Sequence, residues 1–254
     1  MKTFSIVIPA YNEPLLLKRA VDSVLSQDMT DYEIIIADDS TTTEVQQYVE
    51  SLHMPCVSYH RHKSTGHAAD NWNFALQQAS GDYIILMHHD EAMKSTDHLS
   101  RIACQMANGA EICVSDIEVI TGNRKKPGHL PAWMKRLIIA HPAWLFLINA
   151  IGPSACISFR REQAVMFRPA LQWLVDVEWY YRLLKDKRVV YLPDCCMQSI
   201  HGHASQLSST LDIAQAFASD RRIILQTYSD RTVRLMTRLY GLLIIKTKKI
   251  LGKI

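Results

Sequence analysis

An α/β fold on a mostly parallel sheet, with helices on both faces, is what the opening hundred residues predict. Three observations lead there. Apolar, β-forming runs recur without the polar alternation of a sheet that faces water on one side. Stretches with helical apolar spacing separate these runs. Polar residues gather just past the runs, where open sheets of this kind place their ligands.

The run FSIVIPAY (4–11) reads as a buried strand, and Leu15, Leu16, Ala20, Val21, Val24 and Leu25 keep helical spacing after it. YEIIIADDS (32–40) is a second buried strand and Thr43–Leu52 a second helix. CVSYHRH (56–62) is a third strand, followed by a helix over 67–79, and DYIILMH (82–88) a fourth strand. Beyond residue 95 the pattern is less regular: a helix over about 96–107 precedes a strand in EICVSDIEVI. The apolar stretch 131–151 contains Lys135, Arg136, His141 and Pro142; its uninterrupted part is too short to span a bilayer, so it reads as a core or interfacial helix. ACISFRREQAV reads as a strand entering a helix, DVEWYYRLLKD as a helix and RVVYLP as another strand, and from Thr210 onward the chain reads as helical.

A chain of 254 residues suits one large α/β domain or a domain with an appendage, and is long enough to bury a sizeable core without disulfide or metal support. Its 48% apolar and 21% charged content is that of a soluble globular protein. The opening MKTFSIVIPAYNEP does not read as a secretory signal, because its apolar run is short and breaks at Pro9. The six cysteines show no CxxC or CxxH spacing, so reduced thiols in a cytoplasmic protein are expected. Charge is uneven. From Arg221 onward nine basic residues face one acid, a charge of +8 in a chain whose total is +3, which leaves −5 on residues 1–220. Such a tail asks for an anionic partner. Nucleic acid is excluded as the better explanation, since only Tyr228 and Tyr240 interleave with the charge.

Three strand ends are rich in carboxylates: Tyr11, Asn12 and Glu13 after the first run, Asp38 and Asp39 after the second, and His88, His89, Asp90 and Glu91 after the fourth. No Lys or Arg phosphate clamp follows the strands, so a metal is the expected way to hold an anionic ligand there.

FSIVIPAYNEP, AVDSVLSQDMTDYEIIIADDS and GHAADNWNFALQQASGDYIILMHHDE, in that order, resemble the family-2 glycosyltransferases of the GT-A fold, and DVEWYYRL is similar to the family's ED…W.RL helix. The resemblance covers roughly residues 3–210 and implies a Rossmann-like nucleotide-diphospho-sugar transferase fold. It implies a nucleotide-sugar-binding half (1–95) and an acceptor-side half (96–210), leaving 211–254 as a basic helical tail. It also implies that Pro9, Ala10, Tyr11 and Glu13 line the nucleotide pocket, with Tyr11 near the base, and that Asp39 accepts a hydrogen bond from the base. Asp90 falls on the last acid of the family's DxD motif, which ligates the divalent metal bridging the diphosphate, and Asp176 on the catalytic base. His203 and Ser208 resemble the late loop that closes over the diphosphate. Two positions depart from the pattern: His88 stands where the DxD motif begins with aspartate, and Val175 stands where glutamate often precedes the base.

The chemistry asks for the same residue types. A hard cation such as Mg²⁺ or Mn²⁺ on few carboxylates leaves positions open to phosphate oxygens, which suits Asp90 alone or with Glu91. A carboxylate opposite the leaving group, Asp176, would take the acceptor proton and give inversion. Asp39 could instead cap a helix, although Ser40 to Thr43 can serve, and Tyr11 is read equally as a cover for the sheet. Glu178 fits a solvated helix face with Arg182 at i+4. His88 and His89 suit zinc by type, but adjacent strand residues point apart. His88 is therefore read as a polar contact to ribose or phosphate and His89 as a wall residue. Trp72 reads as core, with Asn73 facing the sugar nucleotide. Val233, Met236, Leu239, Tyr240, Leu243 and Ile244 share one face of a basic amphipathic helix, read as an anchor on an anionic membrane surface or as a helix packed on the domain.

The function expected is transfer of a sugar, UDP-linked by preference, to a glycan or lipid-linked acceptor in surface polysaccharide synthesis. The enzyme would be cytoplasmic, peripheral at the inner face of the membrane. A nucleotidyltransferase would need a basic, glycine-rich loop that PAYNEP lacks. A binding module without turnover is the non-enzymatic alternative.

Overall fold

The computed structural model describes residues 2–128, 130–203 and 211–245, with side chains as far as 243. Its framework is a nine-stranded mixed sheet of order β3-β2-β1-β4-β8-β6-β9-β5, with β7 paired to β6. The first half follows the expected alternation: β1 (Phe4–Ala10), α1 (Pro14–Leu25), β2 (Tyr32–Asp38), α2 (Glu44–Leu52), β3 (Val57–Arg61), α3 (Ala68–Gln77) and β4 (Tyr83–Leu86). β1 pairs in parallel with both β2 and β4, and β2 with β3. All seven residues of β1 are buried, which is why its run carries no polar alternation. The chain leaves β1 towards β2 and β3, then returns to β4 on the other side. The switch point therefore lies between the carboxyl ends of β1 and β4.

The second half mixes directions. β5 (Glu91–Met93) and α4 (His98–Ala107) lead to β6 (Ile112–Thr121) and β7 (Arg124–Pro127). α5 (Ala132–Ala140), a 3-10 turn (Pro142–Phe146) and β8 (Ile157–Arg160) follow. α6 (Val175–Leu184), β9 (Val189–His201), α7 (Ile213–Thr227) and α8 (Arg231–Leu239) complete the order. β8 is antiparallel to both β4 and β6, and β5 to β9, whereas β6 and β9 run parallel.

The short strands β5 and β7 were not expected, and the helix expected within 131–151 ends at Ala140 before a 3-10 turn; two further elements differ in extent or kind. After β8 the chain makes only a 3-10 turn (Arg161–Gln163), not a helix. Arg161 is tied there to the Asp82 and Gly81 carbonyls, and the chain then stays open so that Phe167 can reach α3. β9 continues well past Pro193, where the expected strand stopped. The register jumps from Ser115–Leu192 to Asp116–Cys196, so the proline, which has no N–H for the ladder, sits in a bulge.

The helical extension packs on the body. Val233 is fully buried, Trp173 Nε1 donates to Tyr240 Oη at 2.8 Å, and Tyr181 Oη donates to Asp230 at 3.0 Å. The apolar face holding Val233, Met236 and Tyr240 thus docks on the domain. No helix among the described residues is long and apolar enough to cross a membrane.

Candidate active site

At the end of β1 the backbone turns sharply, with Asn12 in the left-handed region (φ 52°) that asparagine tolerates better than most residues. Its backbone N–H donates to Ser40 Oγ at 2.8 Å, and its side-chain oxygen accepts from the Thr41 N–H at 3.0 Å. Asn12 therefore stitches the β1 turn to the β2 turn, a role its position after the strand did not announce. Pro9 and Ala10 are buried beneath the crevice, Glu13 stands just before α1, and the ring of Tyr11 is 39% exposed at its rim.

The pair after β2 divides its tasks. Asp38 is fully buried and fully engaged, at 2.7 Å from Arg61 Nη1, accepting from Tyr59 Oη at 2.7 Å and from the Ser40 N–H at 2.8 Å. Asp39 is only partly buried and faces the crevice with one oxygen held by Asn71 Nδ2 at 3.1 Å. Burial, then the neighbouring Asp38 charge, raises its carboxyl. Asn71 reaches Asp39 and the Ala37 carbonyl together, so it orients the end of β2. Asn73, expected to face the sugar nucleotide, instead gives both amide atoms to the backbone of Phe167, at 3.0 and 2.7 Å.

The HHDE segment after β4 is held from inside. Glu91 is buried; its carboxylate accepts from the His88 N–H at 2.7 Å and lies 3.5 Å from His88 Nδ1. It is turned inward as the partner of His88, away from the expected place of a second metal ligand. Burial works against charge on His88, but Glu91 first, then Asp90 and Asp176, push its pKa up to about 9. Burial also raises the Glu91 carboxyl, with His88 opposing. His89 lines the crevice wall with Nδ1 3.4 Å from the Pro9 carbonyl oxygen, and burial lowers its pKa.

Asp90 faces the other way. Its Oδ2 lies 3.1 Å from His203 Nε2, which arrives from the end of β9, and its carbonyl accepts from the Ile200 N–H at 2.9 Å. Ser208 lies outside the described residues. Arg19 on α1 is held by Gln198 at 2.8 Å, and its charge is felt by Asp90. The sequence showed no cation after the strands, because this one comes from the first helix. Its signal was its place on the α1 turn facing the strand ends.

Asp90 and His203 suit a divalent cation by donor type, one carboxylate and one imidazole 3.1 Å apart. Among the described residues no group of three or more His, Cys, Asp or Glu is arranged to hold a metal. A metal here would therefore need the donor diphosphate to complete its shell.

Asp176 sits in the first turn of α6, where the helix dipole favours an anion. Its Oδ1 is buried with no hydrogen-bond partner among the described residues. Burial raises its carboxyl above the ordinary 3.8, and the charge on His88 pulls the other way. The turn before α6 is clamped from α7: buried Asp220 accepts from the N–H groups of Gln172 (3.1 Å), Trp173 (2.7 Å) and Leu174 (2.8 Å). Sequence reasoning missed this cap because its partners are nearly fifty residues apart. Glu178 is no solvated helix residue; it is buried and joins Arg168 (2.7 Å), Arg182 (2.8 Å) and Tyr228 Oη (2.5 Å). An aromatic column joins the two halves of the site, His88 to Trp72 (4.9 Å), Trp72 to Phe167 (5.0 Å) and Phe167 to Trp179 (4.4 Å, stacked).

A parallel half-sheet with carboxylates at its switch point, and a second carboxylate entering from the mixed half, make up a GT-A-type fold. The family model "Glycosyl transferase family 2" matches residues 5–165, and the chain belongs to that family. It is 27% identical over 194 residues to the uncharacterized glycosyltransferase YwdF of Bacillus subtilis, covering 74% of this chain and 70% of that one. It is 29% identical over 98 residues to the GalNAc(5)-diNAcBac-PP-undecaprenol beta-1,3-glucosyltransferase of Campylobacter jejuni, but spans only 32% of that protein and 37% of itself. Among solved structures, TarS 1-349 of S. aureus in complex with UDP-GlcNAc superposes with a TM-score of 0.71 at 16% identity, over 98% of this chain and 73% of that one. The mannosyltransferase PcManGT of Pyrobaculum calidifontis, in complex with GDP-Man and Mn2+, gives 0.68 at 16% identity over 98% and 72%.

Proposed function

We propose that this glycosyltransferase inverts the anomeric centre as it moves a hexose or N-acetylhexosamine from a nucleotide-diphosphate donor to a hydroxyl of a glycan or lipid-linked acceptor in surface polysaccharide synthesis. The observation that carries the reading is Asp176: a carboxylate placed beside His88 at a helix start, with one buried oxygen left without a partner among the described residues. Structural carboxylates here, such as Asp38 and Glu178, are saturated with partners.

In the reaction, Tyr11 lies against the base and Asp39 accepts from its ring N–H, with Pro9, Ala10 and Glu13 completing the pocket wall. Asp90 and His203 would hold the metal, Mg²⁺ or Mn²⁺. When bound, such an ion supplies charge neutralisation for the departing diphosphate. Arg19, His88 and Ser208 would add polar contacts on the same side, with His89 as wall. Asp176 takes the acceptor proton as the acceptor oxygen forms its bond to the anomeric carbon. The bond to the diphosphate breaks on the opposite face, and its electron pair leaves with the phosphate. UDP is the favoured nucleotide of this reading, and the titration against GDP and TDP tests it. Work at the inner face of the membrane would suit a lipid-linked acceptor; the expected contact of the basic tail with anionic lipid includes Lys246, Lys248 and Lys249, which lie outside the described residues.

The test is calorimetric titration of UDP, GDP and TDP with Mn²⁺ and with chelator. One nucleotide should bind only with metal. Asp90→Asn should lose that metal dependence, whereas Asp176→Asn should bind donor normally yet lose transfer by roughly 10²–10⁴-fold. Retained turnover in Asp176→Asn would move the base elsewhere. Because Glu91 is spent on His88, a donor-binding module without turnover is the second reading, and metal-dependent donor hydrolysis by the wild type would dismiss it.

A further inference from the structure

α5 is fastened from within and bare outside. Lys135 is buried and paired with Asp116 of β6, while Ile138 and Ile139 enter the core. That leaves Trp133, 66% exposed, and Leu137, 43% exposed, one turn apart on the outer surface, with Arg136 exposed beside them. A large exposed indole is the side chain most at home in the interfacial layer of a bilayer, apolar in body and polar at its N–H. The strand just before it, β7, is fully exposed and carries Arg124, Lys125 and Lys126. This hairpin touches α5, since the Gly128 turn packs against the Lys135 side chain.

The other flank of α5 forms a cleft of about 770 Å³ with the end of α6 and the start of β9. It is lined by Arg136, Lys185, Lys187 and Arg188 against one acid, Asp186, over an apolar floor that includes Ile139 and Val190. Lys187 is 3.4 Å from Glu111, but among the described residues neither Arg136 nor Arg188 is in an ion pair; Arg136 lies over the Tyr191 ring at 5.8 Å. Cations on both sides of an exposed tryptophan and leucine are complementary to an anionic lipid surface, where phosphates ring an apolar interior.

We infer that α5, with β7 and this cleft, is a docking surface for an anionic phospholipid bilayer, Trp133 and Leu137 entering the interface and Arg136 and Arg188 meeting lipid phosphates. The surface is distinct from the basic tail beyond residue 245. The cleft is set apart from Asp176 along α6: it is lined by Leu184 at the C-terminal end of that helix, eight residues and about 12 Å beyond Asp176 in its first turn. Docking here would hold the enzyme peripherally, in keeping with the absence, among the described residues, of a spanning helix.

The experiment is flotation of the full chain with phosphatidylglycerol–phosphatidylcholine vesicles and with pure phosphatidylcholine, at low and high salt. The wild type should float with the anionic vesicles and be released by salt. Trp133→Ser/Leu137→Ser should lower the partition coefficient at least tenfold, about 1.4 kcal/mol. Arg136→Glu/Arg188→Glu should do the same and flatten the salt dependence, and free glycerophosphate should compete poorly. Nucleotide titrations should stay unchanged in every variant, which separates lost docking from lost folding. The full chain with Lys246, Lys248 and Lys249 changed to Gln should keep the α5-dependent part of binding. The inference is overturned if wild type ignores anionic vesicles, or if both α5 double variants float like wild type. It is equally overturned if light scattering shows a dimer that Trp133→Ser/Leu137→Ser turns into monomer, since the face would then bind a second copy of the chain.

Discussion

Asp220→Asn tests whether α7 is part of the transfer machinery. The substitution keeps the shape of a side chain that accepts hydrogen bonds from three consecutive N–H groups, those of Gln172, Trp173 and Leu174. Hydrogen bonds to a charged acceptor contribute ~1.5–3 kcal/mol each and neutral ones ~0.5–1.5 kcal/mol, so the exchange should cost about 1 kcal/mol per amide, about 3 kcal/mol in all. For a chain of this size that corresponds to a melting temperature lower by about 6–12 °C. The clamped turn leads straight into the first turn of α6, so loosening it should displace Asp176 and reduce kcat by ~10–100-fold. Nucleotide affinity should hold, because the donor-side residues stand on other elements. Thermal and urea unfolding read the first effect, single-turnover transfer and calorimetry the other two. A variant that melts within about 2 °C of wild type, below what even 1 kcal/mol would shift, or that loses nucleotide affinity in step with kcat, would refute the reasoning.

Two pH predictions follow from buried imidazoles. In His88→Gln the charge that pulls the Asp176 carboxyl down is gone, so its pKa rises further. The base is then protonated over more of the acidic range, and the acid limb of the kcat/KM profile should move to higher pH; a limb that stays in place would separate the two residues electrostatically. His98 is buried between Cys195 Sγ (3.2 Å) and Ser115 Oγ (3.4 Å), and burial lowers it from 6.5 to about 4. Between those values the unfolded chain binds a proton that the folded chain does not, so stability falls as pH drops from 6.5 towards 4, by up to about 3 kcal/mol. Urea unfolding at pH 7 and 4.5 should show this loss in wild type and much less of it in His98→Gln. Equal slopes would remove His98 from the account.

How much of this was legible in the sequence depends on range. The strands β1 to β4 were read within a residue or two, because buried parallel strands are nearly continuous apolar runs and their helices keep a local period. Asp39 and Asp90 were legible as carboxylates just past strand ends and Asp176 as one at a helix start. What tells Asp38 from Asp39 is the reach of Tyr59 and Arg61 from β3, a pairing with no spacing to read; what spends Glu91 is His88, three residues before it, in a turn whose inward direction the spacing alone does not give. Asn73, Arg19 and Asp220 depend on partners brought together only by folding, Phe167, Gln198 and the turn before α6. β9 was cut short at Pro193 because proline normally ends a ladder, and the bulge that lets the strand resume has no local signature.

The histidine at position 88 is bound to the residues around it. Its ring edge packs against Trp72, and its backbone and Nδ1 are both taken up by the buried Glu91. Aspartate at this position would set two carboxylates side by side where burial is nearly complete, with Asp176 nearby, and forfeit a contact in the aromatic column. A His88→Asp change would therefore be tolerated only together with a replacement of Glu91. Histidine and glutamate at these two sites constrain each other, each making the other hard to replace.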